Sequence, residues 1–269
     1  MDVPLCHQKD DVHLIENMNR VRSMTASAGE RAAREIEHGR RICKSAEKYW
    51  GWASPAGQLR ADRRAQLLTK YGEITKETYC LEVGCGTGLF TSKIARTGAH
   101  IDAIDISPDL LAEARGRPGL ENVSFIQEDI ERAQNLLGPY DAVIGVSVLH
   151  HLDLSLAVPN LFRVLKPDGR FVFTEPNLRN PQVWLQKNVV WIKKLLGDSP
   201  NETAFVREQV VSILQDHGFA WVSVTPFDWL HPWTPRPMIP LVVVLGSVLE
   251  GTPVIREMSG SLLVVARKP

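Results

Sequence analysis

From Tyr79 onward, short β-rich runs alternate with stretches of helical composition, and this alternation limits the possible folds more than any other feature of the sequence. Strands that alternate with helices form βαβ units and a parallel sheet with helices on both faces. The sequence therefore predicts an α/β fold with a doubly wound, seven-stranded, mostly parallel sheet. Its predicted strands are Tyr79–Val83, His100–Ile104, Val123–Gln127, Ala142–Val146, Arg170–Glu175, Trp221–Thr225 and Ser261–Arg267.

The rest of the chain is organised around this sheet. Residues 1–26 are mixed and polar and are expected to be loosely ordered. Residues 27–269 are expected to form one domain, with a helical cap at 27–74, a core at 79–176 and insertions at 177–203 and 227–259. Helices are predicted from Ser27 to about Lys48, at about 60–71, from the Asn180-Pro181 start signal to about Leu196, and at about 203–216.

The charge balance argues against a polyanionic partner. Lys and Arg number 31, Asp and Glu also number 31, and the net charge is therefore zero. Nucleic acid is thus a poor candidate. Ten basic and four acidic residues lie between Arg31 and Lys70. We interpret this segment as a solvated helical face, although an anionic acceptor or a membrane surface is an alternative.

Cysteine usage and hydropathy indicate a cytoplasmic protein. The cysteines Cys6, Cys43, Cys80 and Cys85 form no CxxC pair, and no metal site is expected. The N-terminus lacks a basic segment followed by an apolar one, so no secretion signal is predicted. The apolar run from Pro237 to Leu249 is shorter than the roughly 20 residues that a transmembrane helix needs.

A glycine-rich loop follows the first predicted strand. The sequence Glu82-Val83-Gly84-Cys85-Gly86-Thr87-Gly88 leaves room for a ligand against the main chain. A nucleoside triphosphate is disfavoured because the loop lacks the Gly-Lys-Ser/Thr ending. The dinucleotide fingerprint would need glycine where Leu89 stands.

Acidic residues at the ends of later strands complete the pattern. Asp105-Ile106 follows the second strand, Asp129-Ile130 follows the third, and the fourth ends at Val146 shortly before His150-His151. This arrangement resembles the class I, Rossmann-like S-adenosylmethionine-dependent methyltransferases of the small-molecule type, over about Tyr79–Thr174. The resemblance implies S-adenosyl-L-methionine as cofactor. Its implied binding residues are Glu82, Gly84, Cys85, Gly86, Gly88, Asp105, Ile106, Asp129, Ile130 and Val146.

Within that resemblance, Asp105 is expected to hold the ribose hydroxyls, Asp129 the adenine amino group, and Glu82 the glycine loop. Methyl transfer to a protonated acceptor needs a base, and His is suited to that role near neutral pH. His151 is the preferred candidate and His150 the second. Either histidine could instead be a residue at a helix start that bonds to backbone.

Aromatic residues outside the core are candidates for acceptor binding. The predicted substrate residues are Tyr49, Trp50, Trp184 and His231, with Trp52, Trp191, Phe205, Trp229 and Trp233 in the same segments. The insertion at 227–259 is expected to be a lid over the pocket, an apolar surface that contacts a membrane, or a helix buried against the sheet edge.

These observations predict a methyltransferase that acts on a small apolar or aromatic hydroxylated metabolite, with O-methylation favoured. The alternatives are N- or C-methylation of a lipophilic or quinone-like acceptor, an NAD(P)-dependent oxidoreductase, and a catalytically silent cofactor-binding partner subunit. Peripheral membrane contact is also an open alternative.

Overall fold

The computed structural model describes residues 28–133, 136–189 and 204–269. The predicted tail at 1–26, Cys6, Trp191 and residues 190–203 of the first insertion lie outside the described residues. The statements on structure below refer to the described ranges.

Seven strands form one sheet in the order β3-β2-β1-β4-β5-β7-β6. Only β7 runs against its neighbours β5 and β6, and the other pairings are parallel. The fold class predicted from the alternation of elements is thus confirmed. The bounds are β1 Tyr79–Val83, β2 His100–Asp105, β3 Val123–Gln127, β4 Tyr140–Val146, β5 Leu165–Pro176, β6 Val222–Phe227 and β7 Ser261–Arg267.

Helices precede the sheet and connect its strands. Three of them begin with Ser or Asn at the N-cap and Pro at the first helical position, a pairing that fixes the first turn. Their N-caps are Ser54, Ser107 and Asn180. The helices are α1 Ala28–Ile42, α2 Ala46–Tyr49, α3 Pro55–Tyr71, α4 Leu89–Ile94, α5 Pro108–Arg115, α6 Leu154–Val164, α7 Pro181–Asn188, α8 Arg207–Asp216, α9 Ile239–Glu250 and α10 Pro253–Arg256.

The start of α3 corrects a prediction. From sequence this helix was expected at about 60–71. The Ser54 hydroxyl instead accepts a hydrogen bond from Gly57 N at 2.9 Å, so the helix begins at Pro55. This earlier start puts Arg60 in the interior of the helix.

Strand β1 illustrates why the sheet is buried on both faces. Leu81 and Val83 pack into one apolar cluster and Cys80 into the other, and the exposed fraction of each is at most 2%. Burying each aliphatic side chain of this kind contributes about 1.5–3 kcal/mol. The parallel core strands therefore appear in the sequence as nearly continuous apolar runs.

The insertion between β6 and β7 leaves and re-enters the sheet at one edge, because Phe227 pairs with Ser261. Its main helix, α9, is not buried. Four of its aliphatic residues are more than half exposed, namely Leu241, Val244, Leu245 and Val248. The alternative of a helix buried against the sheet edge was therefore wrong. Within the described ranges, no helix is both long and apolar enough to cross a membrane.

The basic segment from Arg31 to Lys70 is not simply a solvated face, which corrects the interpretation from sequence. Arg31 pairs with Glu131 at 2.9 Å, Arg63 with Glu250, and Arg64 is only 2% exposed. The excess positive charge of this segment is therefore partly inside the protein.

Candidate functional site

A cavity of about 740 Å³ opens where the strands β1, β2 and β4 end, which is where ligands bind in open α/β sheets. The segments after these strands and the N-terminal helices surround it. Of the predicted cofactor residues, those that line the cavity are Gly84, Cys85, Gly86, Asp105, Ile106, Asp129, Ile130 and Val146. Glu82 and Gly88 do not line it.

The glycine loop is shaped by close neighbours. Gly84 has φ +68°, and a Cβ there would lie 2.4 Å from Val148. Gly86 has φ +54°, and a Cβ there would lie 3.2 Å from the Trp50 ring. A side chain at either position would be strained and would fill space beside the cavity. Gly88, at φ +75°, is the N-cap of α4.

Glu82 lies directly behind this loop and is 4% exposed. Burial raises the pKa of its carboxyl from 4.5 to about 7. Its Oε2 atom has no hydrogen-bond partner in the described structure. Glu82 does not reach the cavity itself, but a buried carboxyl with an unbonded oxygen directly behind the glycine loop favours a ligand that places a positive charge on that loop, as the amino-acid end of S-adenosylmethionine does.

Asp105 connects the end of β2 to the glycine loop. Its Oδ2 accepts a hydrogen bond from Gly86 N and its Oδ1 one from Ser107 N, both at 2.8 Å. Burial raises the pKa of this carboxyl, and the two N–H donors oppose that effect. Each oxygen retains acceptor capacity, so the carboxylate fits a pair of ribose hydroxyls. Asp129, which follows β3 at the edge of the sheet, also lines the cavity.

The two histidines have different surroundings. His150 is 6% exposed, and its Nδ1 lies 2.7 Å from Glu175 Oε2. The other Glu175 oxygen accepts hydrogen bonds from Val148 N and Leu149 N, so this carboxylate is fixed in place. His151 Nδ1 lies 3.5 Å from Glu35 on α1. The orienting carboxylate therefore belongs to His150 and not to His151, the histidine preferred from sequence.

The predicted acceptor residues are only partly brought together. Tyr49, Trp50 and His231 line the cavity, but Trp184 does not, and its side chain is 52% exposed. His231 lies 2.7 Å from Gln182 Nε2, and burial lowers its pKa. Trp52, Trp229 and Trp233 also line the cavity, whereas Phe205 is packed in the core.

Sequence reasoning missed several charged residues that line this cavity or lie directly behind it. Glu175 stands at the end of a predicted strand, a position that could have marked it. Arg60, Arg64 and Asp228 carried no such signal, because α3 and the segment after β6 meet only in the fold. Cys85 lines the cavity with a thiol whose pKa burial raises well above its usual value, which makes it a poor nucleophile.

Sequence comparisons relate this chain to methyltransferases. The family model described as "Methyltransferase domain" matches residues 81–173. A ubiquinone biosynthesis O-methyltransferase from Serratia proteamaculans is 31% identical over 194 residues, which cover 69% of this chain and 78% of that protein. A malonyl-[acyl-carrier protein] O-methyltransferase from Bacillus anthracis is 41% identical over 97 residues, and this chain covers only 36% of that protein.

A solved structure shows the same fold. It is the N-methyltransferase NodS from Bradyrhizobium japonicum WM9 in complex with S-adenosyl-L-homocysteine, at a TM-score of 0.59 and 19% identity. The similarity covers 87% of this chain and 98% of that chain. At this identity the similarity concerns the fold and not the acceptor.

Proposed function

The chain belongs to the class I, Rossmann-like S-adenosylmethionine-dependent methyltransferases, and from that premise we propose that it methylates an oxygen of a small apolar or aromatic hydroxylated metabolite. The two relatives named above are both O-methyltransferases. Membership of this family sets aside the oxidoreductase alternative. The observation that carries the proposal is the Glu175–His150 pair at the cavity.

S-adenosylmethionine, when bound, supplies an electrophilic methyl group on a sulfonium. The residues of this chain have to align the acceptor, exclude water and remove the hydroxyl proton. In this proposal Gly84, Gly86, Asp105 and Asp129 hold the cofactor. Trp52 and Trp229, which line the cavity, exclude water from the acceptor.

We assign to His150 the removal of the acceptor's hydroxyl proton. In this assignment Glu175 holds Nδ1 of the ring, Nε2 accepts the hydroxyl proton, and the carboxylate stabilises the imidazolium that forms. A nitrogen acceptor that arrives unprotonated would not need this pair. His151 also lines the cavity, beside Glu35 on α1, and is not assigned the proton.

Single-turnover methylation of a panel of phenols, catechols and amines tests this proposal. The wild-type protein should methylate a hydroxylated compound, and His150→Ala should lower kcat by about a hundredfold or more without a change in S-adenosylhomocysteine affinity. Glu175→Gln should also lower kcat. The matched control is His151→Ala, which should retain most of kcat. Methylation of amines alone, or full activity of His150→Ala, would contradict the proposal.

We further propose that the acceptor is lipophilic and that the exposed face of α9 contacts a membrane surface. The insertion that carries α9 leaves the sheet at Phe227 and re-enters it at Ser261, and Trp184 and Trp233 are exposed. Exposed tryptophans together with an apolar helix face suit a lipid interface. The thiols of Cys43, Cys80 and Cys85 are free, which supports a reducing, cytoplasmic location for this contact.

Vesicle co-sedimentation tests the membrane contact. The protein should sediment with phosphatidylglycerol vesicles, and the double variant Val244→Glu with Val248→Glu should not. The control is Leu137→Glu, at a residue that is 78% exposed just before β4, at the opposite end of the strands. Equal sedimentation of both variants, or none by the wild type, would refute this contact.

A further inference from the structure

A cluster of arginines borders the cavity beside the end of β6 and the start of β7. Arg60 and Arg64 on α3 both bond to Asp228 Oδ2, through Arg60 Nε at 2.9 Å and through an Arg64 terminal nitrogen at 2.7 Å. Both guanidinium groups lie over the Trp52 ring, at 5.2 and 5.3 Å from its centroid. All four residues line the cavity.

Sheet order separates this cluster from the nucleoside end. Asp105 and Asp129 follow β2 and β3, at one side of the sheet, whereas Asp228 follows β6 at the other side. The Ser261 hydroxyl, at the start of β7, accepts a hydrogen bond from Arg64 at 2.6 Å. The arginines therefore lie on the acceptor side of the cavity.

The charges of the cluster do not balance. Arg60, Arg63 and Arg64 face two carboxylates, Asp228 and Glu250. Asp228 N also donates a hydrogen bond to Glu250, so the two carboxylates are neighbours. Among the described residues of this cluster one positive charge is left over. A buried charge without a counter-charge is costly, and an anionic ligand would offset that cost.

Comparison of Arg63 with Arg60 shows where the excess charge lies. Arg63 uses both terminal nitrogens in a bidentate pair with Glu250 and does not line the cavity. Arg60 uses only Nε, and its two terminal nitrogens bond to no described residue. Arg64 Nε is buried without a partner. Arg60 thus offers the cavity a fork of donors that suits a carboxylate or a phosphate.

The protonation states of the neighbouring groups do not remove this excess positive charge. Burial opposes the ionisation of Asp228, but Arg64 and Arg60 outweigh it and lower its pKa to about 2. Asp228 is therefore ionised at neutral pH, and its negative charge is already included in the balance of three arginines and two carboxylates. Burial and the charge of Arg60 lower the pKa of His231, which remains neutral.

We propose that the methyl acceptor carries an acidic group, a carboxylate or a phosphate, and that Arg60 binds this group with Arg64 behind it. The inference rests on the proposed function, because it assigns part of the cavity to the acceptor. The apolar or aromatic body of the acceptor then lies along Trp52 and Trp229, between Arg60 and the histidines.

The test compares acidic probes with neutral ones of the same shape. Benzoate is compared with benzamide, and phenyl phosphate with phenol, by calorimetric titration of the full-length protein with and without S-adenosylhomocysteine. At least one acidic probe should bind about tenfold more tightly than its neutral counterpart. The pair that shows this preference identifies a carboxylate or a phosphate as the natural group.

Substitutions of single arginines show which residue causes the preference for the acidic probe. In Arg60→Met the preference should fall to about twofold or less, and Arg60→Lys should restore part of it. The control is Arg63→Met, on the same helix but outside the cavity, which should retain the full preference. Unchanged S-adenosylhomocysteine affinity in each variant shows that it is folded.

Equal binding of acidic and neutral probes, no binding of either acidic probe, or loss of the preference in both methionine variants would overturn the assignment. Failure of S-adenosylhomocysteine to bind would instead refute the proposed function. The titrations without S-adenosylhomocysteine would still report on Arg60 in that case. The two failures are thereby distinguishable.

Discussion

Replacement of Glu82 by glutamine should make the protein more stable above neutral pH. Burial raises the pKa of this carboxyl from 4.5 to about 7 in the folded chain, a change equivalent to about 3 kcal/mol. Between these two values the folded state holds a proton that the unfolded chain has lost. The free energy of unfolding of the wild type therefore decreases as the pH rises from about 4.5 to about 7, and the decrease is complete above that range.

Urea unfolding followed by tryptophan fluorescence measures this effect at several pH values. Glu82→Gln is neutral throughout, so its stability relative to the wild type should rise by about 3 kcal/mol between about pH 4.5 and about pH 8. The control is Glu77→Gln, because the Glu77 side chain is 70% exposed and its ion pair with Lys76 lies at the surface. Parallel pH profiles for Glu82→Gln and the wild type would refute the reasoning.

Two further changes test the architecture of the cavity. Gly84→Ala should weaken S-adenosylhomocysteine binding and destabilise the fold by about 1–3 kcal/mol, because the added Cβ would meet Val148 at 2.4 Å. Unchanged affinity and an unchanged unfolding midpoint would contradict this prediction. Asp228→Asn should lower the free energy of unfolding in urea by about 3–5 kcal/mol, because it leaves Arg60 and Arg64 without their shared carboxylate. A loss below about 1 kcal/mol would show that the cluster is solvated.

The strands of the core could be predicted closely because their physical signal is local. Strands that are buried on both faces read as nearly uninterrupted apolar runs, as β1 and β7 do. The bounds of β1, β3 and β7 agree with those expected from sequence. Strand β5 is longer than predicted, since it begins at Leu165 and includes Pro167 and Gly169, residues that usually mark turns. The pairing of Tyr140 with Leu165 holds that irregular start in the sheet.

The cofactor side of the cavity was also accessible from sequence, because its residues come in short motifs directly after strands. The acceptor side was not. Arg60 and Asp228 are 168 residues apart, and only the fold brings α3 to the end of β6. The hydrogen bond between His150 and Glu175 likewise depends on the adjacency of β4 and β5, whose register the sequence does not state.

The helix α9 shows a second limit of sequence reasoning. Composition identified an apolar segment, but whether such a segment is buried or exposed depends on what packs against it. Here Ile239 and Gly246 are the buried positions, while Leu241 and Val244 face outward. A hydrophobic run alone does not distinguish these outcomes.

Calorimetric titration with S-adenosylhomocysteine tests whether this cavity binds S-adenosylmethionine through Asp105. We expect S-adenosylhomocysteine to bind and NADH not to bind. Asp105→Asn should weaken S-adenosylhomocysteine binding by about tenfold to a hundredfold, because a charged acceptor is lost. Binding of NADH alone, or identical affinity in the variant, would show that Asp105 does not hold this cofactor here.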